Sequence, residues 1–154
     1  MNIYQLLQSL GLSSGQQPEI GYTDLLNGDY AIQEAKLRFP DDGRVGGNQD
    51  AFRHLVWQAN LQREMPLLAK FAGNAHESDY MPFIGAMLQG QGESEKEMDL
   101  YNNALGRKIA DQATSIDDVY SIAEQMVRNN RVRTVPQEII DAEHERKMID
   151  KGYK

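Results

Sequence analysis

The chain has 154 residues, a length that suits one domain able to bury most of its apolar surface. It contains no Cys, which excludes disulfides, thiolate zinc sites and cysteine nucleophiles. Its net charge of −7 makes nucleic acid an unfavourable nonspecific ligand, because a polyphosphate repels an acidic domain.

The hydropathy of the chain bears on its location. No apolar run approaches the roughly 20 residues that a bilayer-spanning helix needs, so we expect no transmembrane segment. Residues 1–15 lack the basic cluster that opens a signal peptide. These features predict a protein that is cytoplasmic when made. Export, if it occurs, would use a specialised secretion route without a cleaved leader.

Apolar periodicity predicts a series of helices along the chain, separated by segments rich in Gly, Ser and Pro. The predicted helices cover about 2–10, 29–39, 49–64, 66–75, 82–88, 93–113 and 115–129, with a last one from a Thr134 cap to about 151. Ser115 and Thr134 are the predicted caps of the last two helices, and Asn27-Gly28 predicts a turn. The Gly-rich loop at 40–49 is either a connector or a mobile rim over a site.

No segment shows the alternation of a β-strand, so the predicted fold class is all-α. We expect a single compact domain over residues 1–154, with about seven to eight helices, several of them short. A motif-bearing core would span about 34–113, followed by a C-terminal helical pair at about 115–151.

The predicted helix at 49–64 contains the only Trp, Trp57, and one of three His, His54, directly after Arg53. Apolar residues lie on both of its sides, which predicts a central helix. Asp50, one turn before His54, could orient the imidazole, and Arg53 could bind an anion or a carboxylate. His54 is a candidate general base or acid. The alternative is a structural histidine, hydrogen-bonded in the core.

The predicted helix at 93–113 carries a polar stripe on one face. Its members are Glu95, Asp99, Asn102, Asn103, Gly106 and Ala110, with Arg107 at the edge. Asn and Gly are poor helix formers, and Gly106 would permit close approach by another backbone or a ligand. The stripe is therefore either a second wall of a site or a solvated surface.

His76 and Glu77 lie in a predicted turn and could relay a proton or bind a metal together with His54. The HExxH spacing of zinc hydrolases is absent, because position 80 is Tyr. The metal and any other cofactor therefore stay unknown. A divalent metal is compatible with these residues but is not required by them.

Three segments together resemble a poorly characterised bacterial domain. They are EAKLRFP at 34–40, DAFRHLVWQANL at 50–61 with AHE at 75–77, and MDLYNNALGRKIA at 98–110. The pattern of that domain runs roughly A-x-R-H-x-x-W, A-H-E, and M-D-x-x-N-N-x-x-G-R. The domain occurs at the toxic C-terminus of YD-repeat-type polymorphic toxins and in small stand-alone bacterial and phage proteins. It usually has Asn after the Trp, where this chain has Gln58.

The resemblance implies a site and a toxin-like context rather than a particular reaction. It marks Arg53, His54, Trp57, His76, Glu77, Asp99, Asn102, Asn103, Gly106 and Arg107. A toxin used in interbacterial competition would also have an immunity or inhibitor protein as a partner. The oligomeric state is not defined by the sequence.

We therefore predict a bacterial toxin or effector-like enzyme, a hydrolase that uses His and carboxylate acid–base chemistry on a cell-envelope or nucleotide-type substrate. The predicted catalytic residues are His54, His76, Glu77 and Asp99. The predicted substrate-binding residues are Arg53, Trp57, Asn102, Asn103 and Arg107. The alternative is a non-enzymatic helical interaction module, in which the polar residues form a buried structural network.

Overall fold

The computed structural model describes residues 3–11, 18–73 and 92–152. Its helices are α1 (Ile3–Ser9), α2 (Tyr22–Asn27), α3 (Asp29–Arg38), α4 (Asn48–Glu64), α5 (Pro66–Gly73), α6 (Glu93–Ala110), α7 (Ile116–Arg128) and α8 (Gln137–Asp150). Across these three ranges the chain forms helices, turns and loops but no strand, which confirms the all-α prediction. None of the described helices has the length and apolar character to cross a membrane.

The predicted helices match the observed ones within a few residues, with one omission. No helix is predicted at α2, because this helix is only 6 residues long, too short for helical periodicity to be evident. The predicted turn at Asn27-Gly28 is confirmed, since Gly28 has a φ of 73° and separates α2 from α3. The predicted helix at 82–88 lies outside the described residues.

Of the two predicted helix caps, Ser115 is confirmed and Thr134 is not. Ser115 caps α7 as predicted, because its Oγ accepts a hydrogen bond of 3.1 Å from the backbone N–H of Asp118. The cap assigned to Thr134 is wrong. Pro136 occupies the position before α8, and that helix begins at Gln137 without a side-chain cap.

Helix α4 is the central element of the fold, and α2, α3, α5, α6 and α7 all pack against it. Its buried apolar residues surround the helix instead of following one stripe. They include Phe52, Leu55, Val56, Ala59 and Leu61. A helix that is apolar all round belongs in the interior. The prediction that this segment is central is therefore confirmed.

The packing of α6 on α4 depends on Gly106. A Cβ atom at this position would lie 2.6 Å from the carbonyl oxygen of Leu55 and 2.8 Å from Cβ of Gln58. Only Gly lets the two helices approach so closely. Asn103 and Asp99, about one and two turns before Gly106, are thereby brought against the side of α4.

The last two helices pack on this pair. Val119, Ala123 and Val127 of α7 are buried at a spacing of four residues, as expected for a helix with one face on the core. Helix α8 packs against α6, where His144 Nε2 lies 2.8 Å from the buried carboxylate of Glu95. The same carboxylate accepts a hydrogen bond of 2.8 Å from the backbone N–H of Gly92, which caps α6.

Candidate active site

His54 lies in the middle of α4, and α6 supplies partners for both of its ring nitrogens. Nδ1 is 2.9 Å from Oδ1 of Asn103, and Nε2 is 3.0 Å from Oδ1 of Asp99. Asp50 Oδ1, one turn earlier on α4, is 3.5 Å from the same Nε2. Amide and carboxylate oxygens only accept hydrogen bonds. Oxygen partners at both ring nitrogens therefore favour the doubly protonated imidazolium form, whereas the guanidinium of Arg53, 2.9 Å from Nε2, opposes it.

The surroundings of His54 favour this charged state. Burial by itself lowers the pKa of His54, and the charge of Arg53 acts in the same direction. The negative charge of Asp99 and the hydrogen bonds to Asp50 and Asp99 outweigh both effects and raise the pKa from 6.5 to about 9. His54 therefore keeps its second proton at neutral pH.

Arg53 and Asp50 complete a cluster of four charged groups with His54 and Asp99. Arg53 Nη2 donates to Asp50 Oδ1 and lies 2.9 Å from His54 Nε2. Burial acts to raise the pKa of Asp50, but the hydrogen bond to His54, the charges of both cations and the N–H of Gly46 lower it to about 2. Two cations thus face two carboxylates, and this neutrality makes the burial of charge tolerable.

The loop before α4 orients Asp50. The backbone N–H of Gly46 donates a hydrogen bond of 2.7 Å to Asp50 Oδ2. This leaves Oδ1 for Arg53 and His54. The Gly-rich segment of the sequence is thus tied to the charged cluster through its backbone.

Asp50, His54 and Asp99 also meet the geometry of a metal site, with one ligand atom from each lying within 4.8 Å of the others. Imidazole and carboxylate ligands suit first-row divalent metals. In this structure Arg53 places a positive charge beside the carboxylate of Asp50, so we describe the group as an ion-pair cluster. A divalent metal at these three residues stays a prediction.

Two other predicted site residues make contacts away from His54. Asn102 Nδ2 donates to the carbonyl oxygen of Arg133 at 2.9 Å, and Asn102 Oδ1 accepts from the Arg133 N–H at 3.0 Å. Arg107 Nη1 donates to Gln58 Oε1 at 3.3 Å. The amide of Asn102 thus holds the segment before α8. The substrate-binding roles of both residues stay predictions.

His76 and Glu77, the other predicted catalytic residues, lie outside the described residues. The structure therefore brings together four of the predicted site residues, Arg53, His54, Asp99 and Asn103. Asp50, predicted to orient the histidine, joins them.

A pocket, called here the His54 pocket, opens between α4 and the junction of α2 with α3. Its lining residues are Asn27, Gly28, Ile32, Arg53, His54 and Trp57. Trp57 forms an aromatic wall that is held in place, because its indole N–H donates to the carbonyl oxygen of Leu25 at 3.0 Å. The pocket therefore combines an apolar wall with two cationic side chains.

Comparison with protein families matches residues 17–134 to the family described as Domain of unknown function (DUF6973). The chain belongs to this family. The expected resemblance to an uncharacterised domain is thereby confirmed at that level. No curated protein and no solved structure matches the chain.

The matched DUF6973 region contains every residue of the charged cluster and of the His54 pocket. Helix α8 follows this region and contributes to neither. Sequence reasoning missed Asn27, Gly28 and Ile32 as pocket residues of this DUF6973 domain. The Asn27-Gly28 turn was the available signal, but only the packing of α2 and α3 on Trp57 places it beside His54.

Proposed function

We propose that this DUF6973 domain is a hydrolase of the toxin or effector type, in which His54 acts as general acid. The observation that carries the proposal is the position of His54 in the wall of a pocket, beside two carboxylates that raise its pKa to about 9. A general acid has to be protonated before the reaction and within reach of the leaving group. The raised pKa of His54 meets the first requirement and disfavours the role of general base in the resting protein. The second requires that Nε2, which faces Asp99 in this structure, share its proton with the leaving group.

The neighbours of His54 fit supporting roles in such a reaction. Asp99 has an exposed fraction of 0%, so it cannot touch a substrate, and it acts as a positioning residue for the imidazolium. Arg53 lines the pocket and would stabilise negative charge that develops on the substrate. As the bond to the leaving group breaks, His54 donates its proton to that group, and a water molecule forms the new bond to the substrate. The proton that this water loses to solvent balances the one that His54 takes up again, and the two carboxylates favour that return.

The biological setting is carried over from the resemblance to toxin C-termini. In this setting the protein acts in interbacterial competition on a cell-envelope or nucleotide-type substrate. It is made in the cytoplasm, exported by a specialised route and neutralised by an immunity protein. The acidic net charge of −7 disfavours a polymeric nucleic acid as substrate but leaves small nucleotides open.

The alternative, a non-enzymatic interaction module, is favoured by a different observation. Several buried polar side chains pair within the fold: Asn102 with Arg133, Glu95 with His144, and Asn103 with His54. A network of this kind can specify helix packing without any chemistry. The two functions predict different effects on cell growth when the protein is expressed with and without His54.

Expression in a bacterial host, with the protein directed to the cytoplasm or to the periplasm, tests the proposal. Wild type should arrest growth in one compartment, and His54→Gln should abolish the arrest while accumulating to the same level. The matched control is His144→Gln, which alters a histidine on α8 and should still arrest growth. A His54→Gln variant as toxic as wild type would contradict the role of His54. Absence of arrest in both compartments would favour the interaction module.

A further inference from the structure

A second cavity adjoins the His54 pocket. Its lining residues are Ile32, Ala35, Lys36, Arg44, Gln49 and Arg53. Ile32 and Arg53 line both cavities, so the two are neighbouring parts of one groove. We call the second part the cationic cavity.

The charge of the cationic cavity is unusual for this chain. Lys36, Arg44 and Arg53 line it, and no lining residue is acidic. The chain as a whole has 16 Lys and Arg against 23 Asp and Glu. Within the described ranges, neither Lys36 nor Arg44 forms a salt bridge. A local excess of cations in an acidic protein attracts an anion.

The loop that carries Arg44 is anchored rather than free, which gives the cavity a defined wall. Gln49 Nε2 donates a hydrogen bond of 2.8 Å to the carbonyl oxygen of Phe39. The backbone N–H of Gln49 donates another, also of 2.8 Å, to the carbonyl oxygen of Asp42. On the other side of Arg44, the carbonyl oxygen of Gly46 accepts from the N–H of Val135 at 2.7 Å. Both ends of the loop are thus tied to the fold.

The two halves of the groove differ in chemistry. The cationic cavity offers guanidinium and ammonium donors, which bind phosphate oxygens. The His54 pocket offers the face of Trp57 and the side chain of Ile32, which suit a flat ring. Arg53 stands at the boundary, next to His54. A ligand that spans both halves would place the link between its anionic and ring parts beside these two residues.

We propose that the groove binds a phosphate ester of a ring compound, with the phosphoryl group among Lys36, Arg44 and Arg53 and the ring against Trp57. A phosphate monoester carries close to two negative charges at neutral pH and so matches the two cations Lys36 and Arg44 better than a carboxylate does. Arg53, which is ion-paired with Asp50, adds a further donor. This inference rests on the proposed function and names its substrate class. Nucleotides and the sugar phosphates of the cell envelope share this chemistry.

The single Trp allows a direct binding test, because Trp57 lies in the groove and its fluorescence reports occupancy. The full-length protein is titrated with phenyl phosphate at fixed ionic strength, and separately with inorganic phosphate, benzyl alcohol and benzoate. Phenyl phosphate should change the fluorescence saturably, with an affinity at least roughly tenfold above that of the other three. An unsaturable response, or benzoate binding as tightly as phenyl phosphate, would overturn the proposal.

Paired variants test the placement of the phosphoryl group. The double variant Lys36→Gln with Arg44→Gln should bind phenyl phosphate roughly tenfold more weakly or worse, with an unchanged melting temperature. The control, Lys108→Gln with Arg131→Gln, changes the net charge equally at exposed positions elsewhere and should bind as wild type. Equal weakening in both doubles would show a nonspecific charge effect and overturn the proposal.

Two further ligands distinguish the sources of the phosphate ester. Tighter binding of adenosine 5′-monophosphate would indicate a nucleotide, and tighter binding of glucose 1-phosphate a sugar phosphate; binding of neither would overturn the proposal. The assay needs no turnover. Binding without hydrolysis would therefore support this inference and count against the hydrolase, whereas growth arrest without binding would do the reverse.

Discussion

Asp99 and Asp50 both favour the protonated form of His54, but they differ in position. Asp99 faces His54 from α6, with its Oδ1 3.0 Å from Nε2, and it provides the largest favourable charge interaction. Asp50 lies on the same helix as His54 and is shared with Arg53. Asp99 therefore gives the simplest test of the cluster at the scale of one residue.

Asp99→Asn should destabilise the protein by about 3 kcal/mol at pH 6, because it leaves a buried imidazolium without its main counter-charge. The pKa of His54 is raised from 6.5 to about 9. Its stabilising contribution is therefore complete below pH 6.5 and is lost as the pH rises through 9. The measurement is urea unfolding of wild type and variant at pH 6 and pH 10.

The deficit of the Asp99→Asn variant should be clearly smaller at pH 10, where His54 is neutral in both proteins. Glu97→Gln, which alters an exposed carboxylate on the same helix as Asp99, serves as a control for the loss of one negative charge. An Asp99→Asn deficit of the same size at both pH values would mean that Asp99 does not act through the proton of His54.

At the scale of helices, the separation of α4 and α6 decides whether the cluster forms. Asp99 and Asn103 reach His54 only because Gly106 lets α6 lie directly on the backbone of α4. The sequence showed the polar stripe of α6 and the histidine of α4. It did not show which members of the stripe would meet the ring, since this depends on how the two helices are aligned.

Gly106→Ala should destabilise the protein by about 1–3 kcal/mol despite the higher helix propensity of Ala, because the added methyl group meets the backbone of Leu55. Thermal and urea unfolding measure the loss. The matched control is Gly21→Ala, where the added Cβ has ordinary contact at 3.4 Å from Asp24. That change should cost about 1 kcal/mol or less, through the preference for Gly over Ala at a helix N-cap and without a backbone clash. Equal stability of the two variants would contradict the close-packing account.

For the whole molecule, the all-α fold and its central helix could be predicted because apolar residues surround α4 and helical periodicity runs through α3, α6 and α7. Arg53, His54 and Asp99 were predicted as site residues from their types and positions on those helices. The groove could not be predicted in the same way. Its residues come from the end of α2, from α3, from the loop at 40–47 and from α4, and only tertiary packing brings them together.

Asn102 and Asn103, both predicted to bind substrate, have different partners in the structure, and tertiary packing again decides which. Asn102 and Asn103 are neighbours in the chain, but successive helical residues point about 100° apart. Asn103 therefore faces His54 on α4, while Asn102 faces the backbone of Arg133. Adjacent amides in a helix can therefore have different partners, and only the direction of α4 relative to α6 shows which amide faces His54.

The central claim of this account is that His54 is a stable imidazolium at the wall of the groove. The most direct measurement is an NMR titration of its ring protons between pH 5 and pH 11, with the signal assigned by its loss in His54→Gln. We predict a pKa of about 9 for His54, well above the ordinary value of 6.5. A pKa at or below 6.5 would contradict the claim, because His54 would then be neutral in the resting protein and could not serve as its general acid.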